Sequence, residues 1–154
     1  MMRPSEHTPL LHALIRLARW HRYTLYGVIV LLTLSGALWL WLHYFGATVG
    51  EYGRVPHPQE QTALQIHGAA AMLALFFLGT LLLAHMIHAW EAGRNRWSGG
   101  TLAAAMLILT LTGYALYYAG DERLRAGASV LHWVLGLAVP IALVVHITLG
   151  RRRP

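Results

Sequence analysis

The 154-residue chain contains no cysteine. Structural disulfides, iron–sulfur clusters and thioether-linked haem all require thiols, so each is excluded by ligand chemistry. Lysine is absent as well: all twelve basic residues are arginines, set against only six acidic ones. Charged residues make up 12% of the chain, roughly half of the ~25% usual in soluble domains. No Asp or Glu interrupts the long apolar runs. The N-terminal MMRPSEHTPLLHALIRLARWHRY is too long and too charged for a cleaved signal peptide, and no small-residue cleavage site follows it. The first apolar run is therefore expected to remain in the protein.

What the chain has instead is hydrophobicity, at 56% of residues and a mean hydropathy of +0.48. Four apolar runs are long enough to cross a hydrocarbon core, which takes about 20 helical residues: Tyr23 to Phe45, Thr62 to Trp90, Thr101 to Gly120, and Ala128 to Gly150. The segments between them, GATVGEYGRVPHPQEQ, EAGRNRWSGG and GDERLRAG, are short and rich in turn formers or charge. The expectation is a single all-α domain over residues 1–154, an integral membrane up-and-down four-helix bundle. Nine arginines (Arg3, Arg16, Arg19, Arg22, Arg94, Arg96, Arg151, Arg152, Arg153) fall on one side of it, and Arg54, Arg123 and Arg125 on the other. The positive-inside rule then makes both termini cytoplasmic. Membrane topology accounts for the net charge of +6 without nucleic acid. Tryptophans and tyrosines near the span ends, such as Trp20, Trp90, Trp97 and Tyr118, read as interfacial belts. The residues before Arg22 form an amphipathic stretch suited to the inner leaflet, or to a continuation of the first span.

Ten histidines stand in this setting, several of them inside the spans. Ionisable side chains in a bilayer are costly, and their default reading is functional. His132 and His146 are separated by fourteen residues, which places the second imidazole about 40° from the first around the helix and about 21 Å along it. One helix face can thus serve two iron centres, one per leaflet. In the outer layer His67 pairs with His132, and His43 and His57, nearer water, are rivals. In the inner layer His146 faces either His21 or His85. His67 and His85 lie five helical turns apart on one face, about 27 Å, a mismatch of about 6 Å that helix tilt can absorb. His88 is about 60° off that face and closer to Glu91, which favours the interface. Four or five imidazoles in two layers are too many to act as helix glue at about 1–2 kcal/mol per contact. Gly68 with Ala69, Ala70 and Ala71, together with Gly27, Gly36, Gly79, Gly113 and Gly136, leaves room for a planar guest or for close helix packing. Arg19, Arg22, Arg94 or Arg96 inside, and Arg54, Arg123 or Arg125 outside, could pair with propionates.

RWHRYTLYGVIVLLTLSG, with Arg19, His21 and Ser35-Gly36, resembles the first span of the bacterial di-haem cytochrome b subunits that accompany nickel–iron hydrogenases and formate dehydrogenases, and of the related five-sixty-one class cytochromes. His67 matches the early histidine of their second span, and LHWVLGL with VVHITLG matches their fourth. The resemblance covers nearly the whole chain. It implies two non-covalent, bis-histidine haems b, the outer between His67 and His132 and the inner between His146 and His21. His85 departs from the pattern and competes for the inner site.

A bis-histidine haem has no open coordination position, which suits one-electron transfer. The expected function is electron passage across the bacterial cytoplasmic membrane, between a quinone or periplasmic redox protein and an acceptor. Short loops leave little room for catalysis, so a subunit of a membrane complex, or a homo-oligomer, is expected. Two rivals stand beside this reading. One is a self-contained quinone-coupled oxidoreductase such as a superoxide oxidase, favoured by a basic pocket at the outer haem. The other is a non-haem assembly or metal-transport protein, which would want carboxylates or thiolates along a path.

Overall fold

The computed structural model describes residues 19–91, 93 and 95–151. The amphipathic stretch expected ahead of the first span lies outside them up to Ala18, and helix α1 runs from Arg19 to Phe45. A small antiparallel hairpin follows, with β1 at Thr48–Gly50 and β2 at Gly53–Val55. Helix α2 covers Gln59–Leu81, passes through one π-helical turn at Leu82–Met86, and continues as the short α3 at Ile87–Glu91. Helices α4 (Arg96–Tyr118) and α5 (Glu122–Arg151) complete the chain. Four of these helices are long and apolar enough to cross a membrane.

Packing divides the bundle into two helical hairpins. The closely packed pairs are α1 with α2 and α4 with α5, joined by a lighter contact between α1 and α5. A strip of small residues on α2, Ala63, Ala70 and Ala74, is almost fully buried and lets α1 approach. Val28, Ala74 and Phe77 form the central cluster of that interface, flanked by Leu25 and Leu32. Outward-facing apolar side chains stay open, with Leu34 63%, Phe76 66% and Ile141 68% exposed. Such a surface is suited to lipid, where apolar exposure carries no cost. Hydroxyls within the apolar helices close on the carbonyl one turn back, as Thr33 does on Ile29 at 2.8 Å and Thr110 on Met106 at 2.8 Å. Each is satisfied without water.

Helical structure extends beyond the apolar runs. Residues 122–127, expected in the third loop, begin α5, because the Asp121 carboxylate accepts the Leu124 N–H at 2.7 Å and the Asp121 carbonyl accepts that of Arg125 at 3.0 Å. Residues 96–100, expected in the second loop, form the first turn of α4. Asn95 ahead of it takes φ 48°, and Gly93 φ 69°, to turn the chain sharply at this end. The first connection is not a plain loop either. Its hairpin turns at Gly53, φ 108°, and is tied to the helices by Arg54, which donates to the His43 carbonyl.

Candidate functional site

His67 on α2 and His132 on α5 are brought together from opposite hairpins, with ring centres 6.2 Å apart and planes at 74°. Two imidazoles on opposite sides of one metal, with metal–nitrogen bonds of about 2 Å, set their ring centres about 6 Å apart. The separation fits a shared ion. Each ring is also held by its far nitrogen. Thr112 Oγ1 lies 2.8 Å from the Ile108 carbonyl, to which it donates, and 2.9 Å from His132 Nδ1. Ser35 likewise donates to Leu31 at 2.7 Å and accepts from His67 Nδ1 at 3.1 Å, while the Leu32 carbonyl accepts from the same nitrogen at 3.1 Å. At His67 the Leu32 carbonyl, which can only accept, puts the proton on Nδ1 and leaves Nε2 with a bare lone pair, the form a metal requires.

Glycine completes each seat. A Cβ on Gly36 would stand 3.1 Å from His67 Cε1, and one on Gly113 would stand 3.4 Å from His132 Cε1. A hydroxyl residue followed by glycine therefore cradles both rings. The same device recurs at the other end of the second hairpin: Ser98 lies 2.9 Å from His146 Nδ1, and a Cβ on Gly99 would meet His146 Cε1 at 3.5 Å. Of the other glycines expected to make room, Gly27, Gly68 and Gly79 have nothing within 4 Å of an added Cβ.

His146 opens onto a cavity of about 1200 Å³ between the hairpins, whose wall includes His85, Arg22, Tyr26, Trp90, Arg96 and Met106. The lining is largely apolar, with guanidinium groups from both hairpins. His21 is not part of it. Its Nε2 lies 3.2 Å from Thr80 Oγ1, and its ring meets Phe77 edge-on at 5.2 Å. Nδ1 of His85 and of His88 are buried without a hydrogen-bond partner.

The remaining candidates are engaged elsewhere. His43 stacks on Trp39 and pairs with Glu60 at 2.6 Å, while Arg54 lies 3.7 Å from the same carboxylate. His57 Nδ1 accepts the Gln59 N–H at 3.2 Å. Among the described residues no group of three or more His, Asp or Glu side chains is placed to hold a bare metal ion. A porphyrin supplies four donors itself, so two opposed imidazoles complete its iron. Sequence reasoning named Gly113 but passed over Thr112 and Ser98-Gly99, although Ser98-Gly99 and Thr112-Gly113 repeat the fourteen-residue spacing of the histidines they hold. No protein-family model, no curated protein and no solved structure matches the chain.

Proposed function

We propose that the chain is a membrane-spanning cytochrome b with two bis-histidine haem sites, carrying single electrons between the two faces of the bacterial cytoplasmic membrane. The observation that carries this reading is the outer pair. His67 and His132 come from different hairpins, have ring centres 6.2 Å apart, and are each hydrogen-bonded at Nδ1 by hydroxyl or carbonyl oxygens. When bound, such a haem supplies a reversible one-electron couple with no vacant position for substrate.

The protein's share is to hold and insulate. Ser35, Thr112 and Ser98 hold the imidazoles at Nδ1, and Gly36, Gly113 and Gly99 admit the rings. In the inner cavity Arg22 and Arg96 provide charges to balance carboxylates of a guest. The arginine bias of the sequence supports cytoplasmic termini, which puts His67 and His132 toward the periplasm and His146 toward the cytoplasm. A quinone or periplasmic redox protein on one side, and an acceptor within a larger complex on the other, suit a chain of this size. Arg54 is held by His43 and Glu60, an arrangement that favours a structural tie over a basic substrate pocket.

The test is a reduced-minus-oxidised absorption spectrum of the purified full chain, with haem quantified per polypeptide. Two b-type haems per chain are expected. A haem-free protein expressed with adequate haem supply overturns the proposal.

A further inference from the structure

Resting on the two-haem reading, we infer that His85, delivered by the π-helical turn of the second span, is the partner of His146 at the inner site, and that His21 is not a ligand. The family pattern points to the first-span histidine. The geometry of this chain points elsewhere, on four counts.

First, His85 and His146 line the same cavity from opposite hairpins, as His67 and His132 face each other across the same divide. Second, the coordinating nitrogen of His21 is occupied. Thr80 Oγ1 lies 3.2 Å from His21 Nε2, a hydrogen bond that engages this nitrogen whichever of the two donates. Third, His85 has a buried ring nitrogen with no hydrogen-bond partner. That nitrogen is Nδ1, and no protein hydrogen bond there ties the ring elsewhere. His88 shares that trait but does not line the cavity.

Fourth, the helix is modified at this residue. The Ile87 N–H reaches back five residues to the Leu82 carbonyl, closing a wide turn that contains His85. Isolated π turns are rare and concentrate at functional sites. An i→i+5 turn rotates less and rises less per residue than an α turn, so it re-aims His85 and shortens its axial distance from His67. The shift works against the length mismatch with the fourteen-residue spacing on α5. Both iron sites then join the same two helices, α2 and α5, which are not among the closely packed pairs.

The experiment compares His85→Ala, His21→Ala and His85→Met in the full-length protein, reading haem per chain, redox titration and low-temperature electron paramagnetic resonance. His85→Ala is expected to fall from two haems to one, with the surviving potential unchanged, while His21→Ala keeps two. Methionine can still ligate, so His85→Met is expected to retain two haems with one potential raised, as methionine–histidine ligation does. Should His85→Ala not accumulate, His85→Met decides alone: two haems with wild-type potentials and signals overturn the inference. So does a His21→Ala protein with one haem beside a His85→Ala protein with two. A wild-type protein without haem instead overturns the two-haem reading on which the inference rests.

Discussion

The outer and inner ends of the bundle hold histidines in the same manner but to different degrees of completion. At the outer end two rings are already at 6.2 Å, and both Nδ1 atoms have hydrogen-bond partners. At the inner end only His146 is seated, by Ser98 and Gly99, and it looks into a cavity of about 1200 Å³ toward an imidazole with an unmet nitrogen. The difference teaches that pre-organisation can be local. The outer site is set by helix packing, whereas the inner site depends on what fills it.

The largest test of this contrast removes a ligand. His132→Ala should leave one haem per chain where there were two, and the loss should be selective for the outer potential in a redox titration. Next come the seats. Gly36→Val drives side-chain atoms into a ring already 3.1 Å from the position of a Cβ, so outer haem occupancy should fall by more than half in a pyridine haemochrome assay. Gly99→Ala, where the corresponding gap is 3.5 Å and the cavity gives room, should cost little. Equal losses in the two variants would remove the distinction between a packed and an open end.

Smaller effects should follow from the hydroxyls. Losing an outer-shell partner of a metal-bound histidine typically weakens binding by roughly 10–100-fold. Thr112→Val and Ser98→Ala belong in that range by haem-transfer titration to apomyoglobin. Ser35→Ala should lie below it, because the Leu32 carbonyl still accepts from His67 at 3.1 Å. The smallest change is expected at the outer connection. Glu60→Gln weakens the tie to His43 and Arg54 and should lower thermal stability by about 1 kcal/mol without changing haem content.

Much of this was legible before any coordinates. The four spans follow from apolar length, and the opposition of His67 to His132 follows from the depth of each histidine within its run. The holding residues were not legible by the same route. Ser98 and Gly99 sit beside charged residues in EAGRNRWSGG, where composition argues for a loop, yet the chain is helical from Arg96. Periodicity reports which face is apolar, not which hydroxyl meets a ring on another helix. The π turn has no signature in LLAHM, since the choice between four- and five-residue hydrogen bonding depends on the surrounding packing. Glycine content was a partial guide: Gly36 and Gly113 lie against imidazoles, and so does Gly99, unremarked in the sequence, while Gly27, Gly68 and Gly79 have open space beside them.

The division into two hairpins also constrains biogenesis. With the proposed ligation, each iron site would take one imidazole from the second span and one from α5, so a nascent polypeptide that has released only the first hairpin would offer half-sites. Cofactor capture would then wait for the fourth span, and metal loading would act as a checkpoint on complete synthesis. The same logic makes the hairpins separable in principle: supplied as two polypeptides, they would have a shared prosthetic group as their means of finding each other.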